Sequence, residues 1–190
     1  MDPTASPMLP RLATPNDVPL IRALIERSAR ALSVGYYTSE EAEAAIEHVF
    51  GVDTQLLTDR TYYVIDAPNG LAAAGGWSKR RTLFGGDQMK ETEDPVLDPS
   101  VDAARIRAFF VDPSWARRGL ATSLYRVCAD AARADGFRTL ELMATAPGEP
   151  LYERLGFVVR ERVALSLPGG VSLKMARMDR DISSPEQCNG

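Results

Sequence analysis

The sequence predicts an α/β fold, in which strand-like apolar runs alternate with amphipathic helical runs along one chain. Two observations carry this expectation. The runs Ile106–Val111 and Thr139–Thr145 are rich in β-branched, aromatic and aliphatic residues, as largely buried strands are. Between them Leu120, Leu124, Val127, Cys128 and Ala131 recur at helical spacing, and Gly136 stands where a helix-terminating glycine is expected. At 190 residues, 45% hydrophobic and 25% charged, the composition is that of a globular protein. A chain of this size buries roughly 70% of its unfolded surface. We expect one domain over residues 9–180, with residues 1–8 and 181–190 as fraying tails.

The elements follow in order. A strand around Leu9 to Ala13 precedes Thr14–Asp17, which supplies a capping hydroxyl, a proline at the first helical position and an acid three beyond the cap. The helix that follows has the stripe Val18, Ile21, Ile25, Ser28 and Leu32. Gly35 breaks it, and Thr38 to Glu41 caps a second helix with Ala42, Ala45, Ile46, Val49 and Phe50 on its apolar face. The runs Thr61–Ile65 and Leu71–Trp77 are strands joined by a hairpin at Asp66–Gly70. Ser78–Ala104 has no sustained periodicity, and its charge is segregated: Lys79, Arg80 and Arg81, then Glu91, Glu93, Asp94, Asp98 and Asp102. Unstructured connections of that length are uncommon unless they bind something or are disordered, so the acidic part, Glu91 to Asp102, is a candidate rim for a cationic ligand. A short helix from Leu151 that ends at Gly156-Phe157 and a closing hairpin of Val158–Val163 with Val171–Met178 complete the order.

A net charge of −4 gives no general attraction to nucleic acid. Two cysteines make no disulfide framework: Cys128 is a core position on a helical stripe and Cys188 lies in the polar tail. With His48 as the single histidine, off its helix's apolar stripe, and no Cys-x-x-Cys, no metal site is expected. The sequence has no apolar run near 18 residues and no charged-then-apolar leader, so the expectation is a cytoplasmic protein without a membrane partner.

The most informative stretch is Val111–Thr122, an apolar strand running into an Arg/Gly turn that opens a long helix. A helix start leaves N–H groups unpartnered and partially positive, which suits a phosphate-bearing anion. Gly119 admits close approach to the backbone, while Arg117 and Arg118 offer charge-assisted hydrogen bonds. No Gly-x-x-x-x-Gly-Lys-Ser/Thr or Gly-x-Gly-x-x-Gly occurs, which argues against a nucleotide-binding loop of those kinds.

The window Ala116-Arg117-Arg118-Gly119-Leu120-Ala121 resembles motif A of the GNAT N-acetyltransferase superfamily, Gln/Arg-x-x-Gly-x-Gly/Ala, with alanine at the first position. Leu151-Tyr-Glu-Arg-Leu-Gly-Phe157 is similar to motif B of that superfamily. The two motifs stand in the family's order, with one helix and one strand between them. The resemblance covers about Leu9 to Met178 and implies a GNAT-like fold, a twisted mixed sheet of six to seven strands with helices on both faces.

It further implies an N-acetyltransferase that uses acetyl-coenzyme A. Its pyrophosphate would lie on Arg117, Arg118, Gly119, Leu120, Ala121 and Thr122, and its pantetheine arm on the backbone of Phe109, Phe110 and Val111. Tyr152 aligns with the family's general acid, and Glu141 with the glutamate that is the base in some members. Tyr36, Tyr37, Trp77 and Trp115 are candidate pocket walls. The acceptor would be a primary amine of a small molecule or protein; a homodimer is left open. The alternative is a non-catalytic coenzyme A sensor or subunit of the same fold.

Overall fold

The structure, a computed structural model, describes residues 8–90 and 94–184. Seven strands form one sheet: β1 (Arg11–Leu12), β2 (Tyr62–Ala67), β3 (Gly70–Ser78), β4 (Ala104–Val111), β5 (Thr139–Thr145), β6 (Val158–Ser166) and β7 (Ser172–Asp181). Their spatial order is β1-β2-β3-β4-β5-β7-β6. All neighbours are antiparallel except β4 and β5, which run parallel. The helices are α1 (Val18–Leu32), α2 (Ser39–His48), α3 (Thr54–Thr58), α4 (Leu120–Ala134) and α5 (Glu149–Arg154).

The helical stripes decide the layers. On α4, Leu124, Tyr125 and Cys128 are fully buried and pack on one sheet face, against Ile65, Ala73, Leu140 and Leu142. Ile21, Leu24 and Ile25 of α1 cover the other face over Tyr62, Val64 and Ala74, and Ala45 of α2 meets Leu173 and Met175 of β7 there. The mixed sheet with helices on both faces is therefore what amphipathic α1, α2 and α4 require to bury their apolar sides.

Local chemistry sets the boundaries. Thr38 and Glu41 form a reciprocal capping box at the start of α2, with hydrogen bonds of 3.1 and 2.7 Å. Arg11 of β1 forks onto both Asp17 and Asp66, which ties the short edge strand to the head of α1 and to β2. These bonds, Arg11's above all, hold the Asp17 carboxyl well below the usual carboxylate range.

Several boundaries depart from the sequence expectation. Helix α4 begins at Leu120, after a turn in which Arg117 and Gly119 both have positive φ. The five-residue α3 is too short to show a periodic stripe; Asp53 caps it by accepting from the Gln55 N–H at 3.1 Å. Strands β6 and β7 run past their expected ends, because Ala164, Leu165 and Ser166 of β6 continue the ladder with Lys174, Leu173 and Ser172, and Asp179, Arg180 and Asp181 of β7 continue it with Glu141, Leu140 and Thr139 of β5. Ile182, placed in the C-terminal tail by its sequence, is buried, and its N–H donates to the Arg138 carbonyl at 2.8 Å. Cys188 lies outside the described residues.

The long β3–β4 connection is strapped together at its base. Arg80 bridges to Val96, the Leu97 N–H donates to the Lys79 carbonyl at 2.8 Å, and Arg80 pairs with Asp59 at 2.6 Å. Its apex, Leu83–Gly86, returns toward the sheet.

Candidate active site

Strands β4 and β5 pair only at Ala104–Leu140 and Arg105–Glu141, then diverge. Just past that point β4 is bulged: Arg107 stands opposite Gly76 and Phe110 opposite Ala74, so Ala108 and Phe109 share Gly75 as partner. Ala108 takes the strain, with φ +54° in a region that costs a non-glycine residue roughly 1–3 kcal/mol. The bulge turns Phe109 toward the α4 face and Phe110 toward the α1 face. Gly75 leaves room for that turn, because a Cβ there would sit 2.5 Å from the Phe109 ring. No periodicity argument locates this bulge, although it fixes the shape of the gap.

An apolar cavity of about 220 Å³ occupies the divergence. Phe109, Phe110 and Val111 line it from β4, Leu142, Met143 and Thr145 from β5, and Tyr152 from α5. Tyr152 is buried, its ring 6.4 Å from that of Phe109 and 5.6 Å from that of Phe157. Burial first, and the neighbouring Cys128 second, push its hydroxyl pKa above the ordinary tyrosine value, so it is a protonated donor at every physiological pH.

A second cleft of about 930 Å³ adjoins it and shares Leu32, Val111, Ala121, Pro147 and Leu151. Arg117, Gly119, Leu120, Ala121 and Thr122 form its floor at the first turn of α4. The Ser123 N–H is the first to find a helical partner there, the Gly119 carbonyl at 2.9 Å, so the preceding N–H groups are available to a ligand. A Cβ on Gly119 would meet nothing within 4 Å, because the cleft opens over it. Arg117, at φ +64°, and Gly119, at φ +78°, give this turn the left-handed residues from which anion-binding backbone nests are built. Arg126, Arg154 and Arg180 also border this cleft, three cations from three separate elements with no shared sequence signal.

The remaining site candidates divide. The Arg118 guanidinium lies 4.7 Å over the Trp115 ring and does not line either cavity. Trp115 and Tyr36 border the larger cleft, whereas Trp77 is core. Tyr37 is structural: its hydroxyl donates to the Lys174 carbonyl at 2.6 Å and accepts from the Ala146 N–H at 2.9 Å. Glu141 needs correction as a candidate base. Its carboxylate oxygens are taken by Arg105 and, at 2.6 Å, by Arg177, and it lines neither cavity. A carboxylate engaged by two guanidiniums and set away from both cavities is not placed to reach an amine in the gap.

Of the acidic rim expected for the β3–β4 segment, the structure describes Asp94, Asp98 and Asp102. Glu91 and Glu93 lie outside the described residues. Asp94 accepts from the Thr82 N–H at 2.8 Å, Asp98 from Ser100, and Asp102 from the Asp98 N–H. None of these three lines a cavity; Leu83–Gly86 does. That apex is fastened from beneath by Arg107, which is 2% exposed. Its guanidinium donates to the carbonyls of Thr82 at 2.8 Å and Gly85 at 2.6 Å, and lies 2.8 Å from Asp53, which Lys90 also contacts.

The family profile described as acetyltransferase (GNAT) family matches residues 36–157, the span that holds the gap, the nest and Tyr152. The chain belongs to the GNAT acetyltransferase family. As a GNAT member it is an acyltransferase. Solved structures share its fold at low identity. A GCN5-related N-acetyltransferase from Rhodopseudomonas palustris is 18% identical, with a TM-score of 0.67 over 93% of this chain and 96% of that one. An N-acetyltransferase from Staphylococcus aureus is 17% identical, with a TM-score of 0.60 over 92% and 98%. The PaiA N-acetyltransferase from Thermoplasma acidophilum, solved in complex with coenzyme A, is 13% identical, with a TM-score of 0.60 over 90% and 97%. Among curated proteins, none matches this sequence closely enough to count as a relative.

Proposed function

We propose that this GNAT protein is an N-acetyltransferase that takes acetyl-coenzyme A as cosubstrate and transfers the acetyl group directly to a primary amine. The observation that carries this reading is the continuity of the two cavities through the β4–β5 gap, from a helix-terminal nest ringed by arginines to a buried tyrosine. The residues fit the cosubstrate's chemistry. Arg117, Gly119 and the first N–H groups of α4 would hold the pyrophosphate, and the β4 edge at Phe109–Val111 would pair with the amide-bearing arm as a missing strand.

Bound acetyl-coenzyme A supplies an activated acetyl thioester. A backbone N–H at 109–111 polarises its carbonyl, as a fixed donor aimed at developing negative charge. The amine nitrogen forms the new C–N bond as the C–S bond breaks, and the proton that the amine loses balances the one the departing sulfur gains. Tyr152 donates its hydroxyl hydrogen bond to that sulfur. An ordinary tyrosine already lies about 1.5 pKa units above a thiol, and burial widens the gap. The hydroxyl therefore acts by hydrogen-bonding the thiolate as charge builds rather than by outright ionisation.

No Asp, Glu or His lines the apolar cavity among the described residues. The amine therefore sheds its proton to water before it attacks. This sets a pH prediction: kcat/KM for the acceptor rises with unit slope until the amine's own pKa, about 10 for an alkylamine, with no descending limb from Tyr152 below that. An acidic limb near the carboxylate or imidazole range would instead require a protein base.

The cofactor placement is tested by Gly119→Val. The side chain has room within the fold, but it would fill the space over the nest and is strained at φ +78°. Coenzyme A affinity by calorimetry should fall at least roughly tenfold, the equivalent of one charge-assisted hydrogen bond, with the melting temperature monitored separately for the backbone strain. Unchanged affinity in the folded variant would move the pyrophosphate elsewhere.

A further inference from the structure

We infer that the acceptor is a primary amine with an aryl or branched alkyl body and no second cationic group. This rests on the cavity's being the transfer site, as proposed above. The reacting atoms are fixed near Tyr152 and the β4 edge, and the arginine-ringed cleft opens along α4. What remains for the acceptor lies toward α1 and the β3–β4 apex. Its walls there are Phe50, Leu83, Phe84, Phe110, Met143 and Met175. Phe50 and Phe110 meet edge to face at 5.8 Å, and the two thioethers offer soft, adaptable contacts to a ring.

Among the described residues, the only charged group on this wall is a cation, Arg107. The carboxylate that balances it, Asp53, is 1% exposed and shared with Lys90, so among the described residues no carboxylate on this wall is left to receive a second ammonium. A diamine or polyamine would have to strip water from its distal charge without a partner, a step proteins avoid. An apolar body instead gains a factor of about four for each methylene taken out of water. The volume also selects. An apolar cavity of about 150 Å³ admits benzene, so 220 Å³ shared with an acetyl thioester holds one ring or a branched alkyl group.

The test uses the full chain. Acetyl-coenzyme A binding is measured first by calorimetry. Acetylated product is then quantified by mass spectrometry with phenethylamine, isoamylamine, propylamine, putrescine and spermidine at saturating acetyl-coenzyme A. The expected result is a kcat/KM for phenethylamine at least roughly thirtyfold above that for putrescine, as several buried carbons imply. Phe84→Ala should erase most of the preference for phenethylamine over propylamine. Putrescine or spermidine turned over as well as phenethylamine would overturn the inference. So would acetyl-coenzyme A binding with no acetylation of the aryl or alkyl amines, or a Phe84→Ala variant that keeps the full preference. Absence of acetyl-coenzyme A binding would overturn the functional reading beneath it, and the inference with it.

Discussion

Replacing Arg107 by methionine is expected to lower the melting temperature by roughly 6–20 °C, because removing one partner from a buried ionic cluster costs about 3–5 kcal/mol and a protein of this size shifts about 2–4 °C per kcal/mol. Asp53 would be left in the core with Lys90 as its remaining ion-pair partner, and the Thr82 and Gly85 carbonyls would lose their donors. A functional consequence should accompany this. With the Leu83–Gly86 apex released, KM for the acceptor should rise while coenzyme A affinity, set on the far side of β4, stays close to wild type. Arg107→Lys keeps the charge but not the fork onto two carbonyls, and should fall between the two. Thermal melts within about 2 °C of wild type for Arg107→Met, less than 1 kcal/mol at this size, would show that the cluster does not hold the apex.

The second large effect is on turnover. Tyr152→Phe should reduce kcat by roughly 10²–10³-fold, the range for removing a fixed hydrogen-bond donor aimed at developing negative charge, with coenzyme A affinity nearly unchanged. The ring contacts with Phe109 and Phe157 survive the substitution, so stability should change little and the loss can be assigned to the hydroxyl. A kcat within twofold of wild type would reduce Tyr152 to a packing residue.

The layers of this fold were legible because they follow from periodicity. The stripes of α1 and α4 and the apolar runs of β2, β3, β4 and β5 each place one buried side, and Tyr152 with the Arg117–Thr122 turn is carried by local motifs. What periodicity cannot show is where a strand breaks its own pattern. The bulge at Ala108 needs a space opposite it, which Gly75 provides from another strand, and that pairing exists only once β3 and β4 are in register. Arg107 reads as an interruption in an apolar strand, yet its charge is met by Asp53, 54 positions earlier in the chain, a partner chosen by tertiary packing. Glu141 shows the converse: a motif position matched a catalytic glutamate, but Arg105 and Arg177 on the flanking strands occupy it. Of the acidic run, Asp94 is turned to the Thr82 N–H across the loop, while Asp98 and Asp102 serve their own turn.

The central claim is that one continuous surface binds acetyl-coenzyme A with the pyrophosphate on the α4 nest and the thioester in the β4–β5 gap. Paired calorimetric titrations of the full chain with acetyl-coenzyme A and with S-acetylpantetheine, which lacks the pyrophosphate, test it most directly. The account predicts one-to-one binding of acetyl-coenzyme A and affinity for the truncated thioester at least roughly tenfold weaker, since each lost charge-assisted hydrogen bond is worth about 1.5–3 kcal/mol. Equal affinity for the two ligands, or no binding of acetyl-coenzyme A, would contradict it.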